Sequence, residues 1–453
     1  MHQRPTIFFL HALGASADAW SEVVEHIDGR YTCMPLDLPG FGAQALDGRT
    51  DTTALTDWFC DTVRRVDPVT WIVVGHSMGG KIATATAWRA SRGAVGLAGL
   101  AGVVLLAGSP PAPEPMDPER RRTMLGWVQG ESISRTHAAT FVSDNVAGRL
   151  GDAQFERAVA DVMRSDPAAW RAWLETGSKQ DLSTHVGALP YPACVVAGQC
   201  DGDLGASAQA ELNLPHYPLA GAVTTLAQAA HLLPLERPQE VAALINRLAA
   251  SAFTRALPGE FLGVLNAART DPRMRARLIA RNLPPDVQAP GALDAGALAV
   301  LAAIAARVVD EPARGQELAR RIDIGLAAGE GDGWRFAELP PDGQAWMQAL
   351  ACLQTLAGDF CALPPQAQIA LLKSVQDGTA DLPGDSPLSG NQLRLWFQDA
   401  CAQIARVWTS LPATMAAMGY DGFSVSVEGG IARGYDQVGQ DQSEAWQLRG
   451  HRA

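Results

Sequence analysis

Through roughly its first 250 residues the chain alternates short, wholly apolar runs with longer stretches of helical periodicity. That alternation admits few folds. Strands that are apolar on both faces must be covered on both faces, and helical crossovers between them make the sheet parallel. Thr6–Leu10, Thr32–Leu36, Trp71–Gly75, Val103–Gly108 and Ala193–Gly198 read as five such strands, with a sixth in part of Ala222–Leu226. The rhythm breaks once, between Gly108 and Ala193. That insert opens on Pro110, Pro111, Pro113, Pro115 and Pro118 and continues in helical patterns bearing Trp127, Trp170 and Trp173. An insert of this length between two sheet strands is expected to form a helical lid over the strand ends, at about 110–190.

From about Thr254 no convincing strand pattern remains. Helical periodicity covers Glu260–Ala280, Asp294–Val309, Gly315–Ala327, Asp342–Leu356, Pro365–Gln376 and Asn391–Ser410, punctuated by proline pairs that favour helix starts. The expected architecture is therefore an α/β domain over 1–253, a mostly parallel sheet with a lid, followed by an all-helical domain over 259–453.

Composition narrows the function classes. At 453 residues, 47% hydrophobic and 19% charged, the chain is globular and long enough for two or three domains. A net charge of −12 argues against nucleic-acid binding, which calls for a basic surface. The seven cysteines are scattered, with no C-x-x-C pair and no neighbouring histidine cluster, so buried reduced thiols are expected and no metal site. The apolar run at the N-terminus is too short for a signal peptide, and the run Leu293–Val309 carries Asp294 and Arg307. A cytoplasmic location without a membrane span is the expectation.

Gly75-His76-Ser77-Met78-Gly79 is a G-x-S-x-G sequence. Alone it says little, but here it joins an apolar strand to a helical run. A sharp strand–turn–helix junction of this kind lifts a serine Oγ above the sheet at a helix N-terminus. A serine nucleophile needs a base, and His231, after the last strand, is the best placed of nine histidines. The base needs an orienting carboxylate. Asp201, directly after the fifth strand, gives the order Ser77, Asp201, His231, which suits such a triad. Asp203 on the same loop is the alternative. The oxyanion hole would take the N–H of Met78 and, from the loop after the first strand, that of Leu13. Trp127, Trp170 and Trp173 are either a stacking surface for a ring-shaped substrate or the core of the lid. His137 and Asp144 are two further lid residues considered for the pocket.

Five stretches carry a resemblance: His11–Ser16, Asp37–Gly42, Gly75–Lys81, Gly198–Asp201 and His231–Pro238. With them residues 1–253 resemble an α/β-hydrolase of the small esterase and carbon–carbon hydrolase type. The resemblance implies a Ser–His–Asp triad, an acyl-enzyme, no cofactor, and a small ester or lactone as substrate, as for a carboxylesterase or lactonase. Carbon–carbon bond hydrolysis or cofactor-free peroxidase chemistry on the same scaffold is also open. Ala12 departs from the pattern, standing where most relatives have glycine.

The later residues resemble a different family, the third subunit of gluconate 2-dehydrogenase-type oxidoreductases. Asp359–Gln366, Leu411–Tyr420, Gly434-Tyr435 and Trp446 carry it. That resemblance implies a docking module, with no redox centre of its own, for a glucose–methanol–choline-type flavoprotein dehydrogenase. It also keeps open a non-catalytic assembly subunit whose hydrolase half is vestigial.

Overall fold

The computed structural model describes residues 4–420, except 131, 256, 268–269, 287–288 and 332–333. Gly434, Tyr435, Trp446 and His451 lie outside the described residues. Six strands form one sheet: β1 Thr6–Leu10, β2 Thr32–Leu36, β3 Trp71–His76, β4 Leu100–Leu106, β5 Ala193–Gly198 and β6 Thr224–Leu226. Their order is β2-β1-β3-β4-β5-β6, and every pairing is parallel. The central strands β1 and β3 are buried along their whole length, as their uniform apolarity requires. The edge strand β2 is half-exposed, and there Pro35 is tolerated because an edge position need not donate to a second neighbour.

From β1 the chain crosses to β2 on one side, then returns to β3 on the other. The loops that follow β1 and β3 therefore diverge, opening a crevice at the carboxyl ends of those strands where open parallel sheets hold ligands. The lid occupies the gap between β4 and β5 with helices Pro118–Gly126, Arg135–Asp144, Asp152–Arg164 and Pro167–Glu175. Aspartate or serine caps three of these four: Asp117, Ser134 and Asp166 each accept a main-chain N–H from the first turn.

Met1–Leu283 belongs to one compact unit and Pro284–Met418 to a second. The division thus falls after Leu283, about one helical hairpin later than the boundary expected at 253–259. The stretch read as one helix over Glu260–Ala280 is two, Gly259–Asn266 and Pro272–Asn282, with Asp271 capping the second and Pro272 opening it. Both are tied to the hydrolase-like unit by polar contacts that periodicity does not reveal. Asn266 Oδ1 accepts the Gly96 N–H at 3.0 Å. The Arg275 guanidinium, 1% exposed, donates to the carbonyls of Gly93, Ala267 and Thr270. A buried charge is tolerated only when its hydrogen bonds are met, so this arginine binds the hairpin to the turn at Gly93.

The second unit is helical, with Ala295–Val308, Gly315–Ala327, Asp342–Ala357, Pro365–Gln376, Gly390–Thr409 and Pro412–Ala417. Its core gathers Leu301, Ile304, Leu318, Trp346, Phe360 and Trp396, the two indoles meeting edge to face at 5.4 Å. A capping box of Ser389 and Gln392 starts its longest helix. The stretch Asp359–Gln366 has a local explanation: Asp359 Oδ1 accepts the Cys361 N–H at 3.0 Å, and Phe360 is fully buried. All seven cysteines are free thiols. Cys200 and Cys361 are exposed, which corrects the expectation that all would be buried.

A chain ending at Leu283 is expected to melt at least about 5 °C above one ending at Phe253. The shorter chain loses the Arg275–Gly93 and Asn266–Gly96 contacts, each contributing about 0.5–1.5 kcal/mol net, together with the apolar surface the hairpin covers. Thermal denaturation of the two truncations checks this; equal melting temperatures would return the boundary to Phe253.

Candidate active site

Ser77 follows β3 in a backbone conformation of φ 48°, ψ −116° that L-residues seldom adopt. Four main-chain hydrogen bonds hold it. Its N–H donates to Leu106 O at 3.0 Å, and its carbonyl accepts from Gly80 at 2.7 Å and Ser109 at 2.9 Å. The Gly79 N–H donates to His11 O at 3.2 Å. Glycine at 75 and 79 follows from crowding. A Cβ on Gly75 would sit 2.5 Å from Gly79 O, and one on Gly79 would collide with Leu10 O.

His231 and Asp201 come from the loops after β6 and β5. The imidazole Nδ1–H donates to Asp201 Oδ2 at 2.8 Å, and Asp201 Oδ1 accepts the Leu204 N–H at 3.0 Å. Burial alone would push His231 towards its neutral form. The Asp201 carboxylate outweighs burial and holds the imidazole above its ordinary value of 6.5, with Glu114 adding to the effect. Burial likewise opposes the Asp201 carboxylate, and His231 outweighs it, leaving that acid below its usual range. Asp203, the alternative carboxylate, is engaged elsewhere: Arg120 of the lid donates to its Oδ2 at 2.7 Å.

Ser77, Asp201 and His231 line one cleft of about 470 Å³ together with Leu13. Met78 is the first residue of the helix Met78–Ser91, where an N–H has no carbonyl of a preceding turn to bond. The loop that carries Leu13 is fixed by His11. Its Nδ1–H donates to Ala12 O at 2.7 Å and its Nε2 accepts the Leu38 N–H at 3.0 Å. The left-handed position in this loop is Gly14, at φ 73°, so Ala12 needs no glycine-like backbone.

Of the three lid tryptophans, Trp173 lines the cleft. Trp170 and Trp127, also candidates for substrate binding, do not; of the two readings open for the three, Trp170 takes that of lid core. Trp170 is fully buried, packs on Phe141 at 5.2 Å and donates its indole N–H to Met124 O at 3.2 Å. Trp127 stacks on His137 at 5.4 Å. Neither His137 nor the exposed Asp144 lines the cleft.

Three cleft residues escaped the sequence reading. Glu114, in the proline-rich start of the insert, is buried and accepts the Ser109 hydroxyl at 2.7 Å; burial pushes its carboxyl up. Arg120 bridges Asp203 to Asn145, whose Oδ1 it meets at 2.8 Å. Asn145 ends the lid helix Arg135–Asp144, and its carbonyl accepts the N–H groups of both His231 and Leu232 at 3.1 Å. Glu114 sits among prolines and Arg120 in a run of three arginines, surroundings that read as a turn and a solvated face. No local pattern marks either as lining a cleft. Among the described residues no group of three or more His, Cys, Asp or Glu is placed to hold a metal ion. No helix among them is long and apolar enough to cross a membrane.

The model of the alpha/beta hydrolase family matches residues 7–244, more than half of the chain. A curated relative, 2-succinyl-6-hydroxy-2,4-cyclohexadiene-1-carboxylate synthase of Escherichia coli O7:K1, is 31% identical over 228 residues, which are 48% of this chain and 86% of the relative. Among solved structures, the bromoperoxidase of Bacillus anthracis is 16% identical with a TM-score of 0.48, covering 56% of this chain and 92% of its own. The esterase EaEST of Exiguobacterium antarcticum is 12% identical with a TM-score of 0.47, covering 55% and 93%.

The His231 imidazole should titrate above 6.5, and Asp201→Asn should lower it, because burial then meets only the weaker opposition of Glu114. Asp203→Asn should move it little. Titration of the imidazole carbon-bound protons by NMR distinguishes these outcomes; a larger effect at Asp203 would reassign the orienting acid.

Proposed function

The chain belongs to the alpha/beta hydrolase family, and from that premise we propose that it is a serine hydrolase cleaving ester or lactone bonds without a cofactor. One observation carries the reading: the His231–Asp201 hydrogen bond of 2.8 Å opens on the same cleft as a serine held at a strained strand–helix junction. In this mechanism Ser77 Oγ attacks the substrate carbonyl while His231 Nε2 takes its proton. Asp201 keeps the imidazole in the Nδ1–H tautomer and stabilises the imidazolium that forms. The Met78 and Leu13 N–H groups receive the charge that develops on the carbonyl oxygen. His231 then returns the proton to the departing alcohol, and a water molecule activated by the same imidazole releases the acid.

The helical region 259–453 is proposed, on its resemblance alone, as a docking module for a glucose–methanol–choline-type flavoprotein dehydrogenase. Oxidising a cyclic sugar at its anomeric carbon gives a lactone, which is an internal ester, so a tethered hydrolase would meet that product at high effective concentration. A pull-down with the full chain that recovers such a flavoprotein supports docking; recovery of none removes it.

A second reading is favoured by the curated relative, whose printed name makes it the synthase of a succinyl-hydroxy-cyclohexadiene carboxylate and of which the chain covers 86%. Arg120, bonded to Asp203 and Asn145, is among the described residues the one guanidinium lining the cleft that a carboxylate of such a compound would meet. The two readings separate on one panel. Under the first, the protein hydrolyses p-nitrophenyl acetate and aldonolactones, is labelled by a fluorophosphonate at Ser77, and loses at least about 10³-fold in kcat on Ser77→Ala. Inert esters and lactones, with formation of the relative's product, would replace it with the second. A Ser77→Ala variant within tenfold of the unaltered protein would sink both.

A further inference from the structure

His76 stands between the strand and the serine, 2% exposed. Its Nε2 lies 2.7 Å from the main-chain carbonyl of His231. A carbonyl oxygen only accepts, so Nε2 carries the proton and donates it. The two imidazole rings also pack, centroids 5.3 Å apart and planes inclined at 40°. On its other side the His76 ring meets Trp20 edge to face at 6.3 Å. The main chain of His231 is thereby held on both sides, its N–H on Asn145 O at 3.1 Å and its C=O accepting from His76 and, at 3.0 Å, from the Leu233 N–H. With Nδ1 on Asp201, the remaining ring nitrogen, Nε2, is the atom left to work in the cleft.

We propose that His76 is a positioning residue for His231, setting the base from the same strand end that presents the serine. The inference rests on the reading of Ser77 and His231 as nucleophile and base. The last residue of β3 and the one that follows it then fix both partners of the proton transfer: Ser77 directly, His231 through the His76 donor. The donor must also be uncharged. An imidazolium forms on His231 during turnover, and a second cation stacked on it would oppose that charge. Burial, reinforced by the charge of His231 itself, pushes His76 down to about 3, so it stays neutral wherever the protein would work. The other charged or titratable groups bearing on the two rings are Asp201 and His11 beside His76, and Asp201, Glu114 and Arg120 beside His231. A lysine or arginine would supply the donor but also the unwanted charge.

The test uses the full chain and two substitutions. His76→Phe keeps a ring and removes the donor; His76→Gln removes the ring and keeps an amide donor on a side chain of similar length. Kinetics on p-nitrophenyl acetate should show His76→Phe losing about 10- to 100-fold in kcat with KM changed less than about threefold, since misplacing a catalytic group by about 1 Å costs on that order. His76→Gln should recover most of the loss. The His231 titration read by NMR should fall towards 6.5 in His76→Phe, as the loosened loop weakens the Asp201 contact, and stay raised in His76→Gln. Equal kcat losses in both variants, with parallel drops in melting temperature and an unmoved His231 titration, would reduce His76 to a packing residue. Unchanged kcat in His76→Phe would also overturn the proposal. The NMR arm needs no turnover. A protein inert to esters but showing the His231 shift would refute the hydrolase reading while keeping the positioning role.

Discussion

A non-glycine residue at φ 48° costs about 1–3 kcal/mol, and the rest of the first unit is arranged so that Ser77 has no alternative. Its N–H is held by the end of β4 and its carbonyl by Gly80 and Ser109, while the following glycine is held by the loop after β1. Three separate segments thus converge on two peptide groups. The central position of β3, paired with β1 as far as Gly75 and with β4 as far as His76, gives those segments a rigid reference. The strain is useful because it keeps the hydroxyl clear of the backbone at the start of a helix, where developing negative charge is favoured.

Three histidines lie near this point, His11 and His76 buried and His231 half-buried, and their fates differ for one reason. Burial pushes all three imidazoles towards the neutral form. His11 falls to about 4 and His76 to about 3, whereas His231 rises. His11 and His76 donate to carbonyl oxygens, which carry no full charge; His231 donates to a carboxylate at 2.8 Å. The charge of the hydrogen-bond partner therefore selects which imidazole is raised above its ordinary value. The other two remain fixed donors that shape the loops around it.

Much of this was legible in the sequence. Uniformly apolar runs lie in a doubly covered sheet, so all six strands could be placed within a few residues. The G-x-S-x-G turn and the Asp201 and His231 loops announce themselves because each follows a strand directly. What escaped depends on contacts between segments far apart in the chain. Glu114, Arg120 and Asn145 belong to a lid whose approach to the cleft no local pattern encodes. Trp127 and Trp170 look like Trp173 in composition, and packing alone separates the one that faces the cleft. The hairpin after Thr254 reads as part of the helical region because its periodicity is helical; the Arg275 hydrogen bonds that bind it to Gly93 have no signature in spacing. His76 was read as part of a turn, since a donor's acceptor 155 positions away cannot be seen from its neighbours.

The carbonyl of Asn145 gives the molecule an interlock. One oxygen at the end of a lid helix receives the amide protons of both His231 and Leu232, and the same residue's side chain steadies the arginine that reaches Asp203. Any displacement of that helix end would therefore part the His231 and Leu232 amides from their shared acceptor in the same movement. The end of the lid helix and the His231 loop are in this sense one mechanical piece, so that a substitution loosening either is felt by the other.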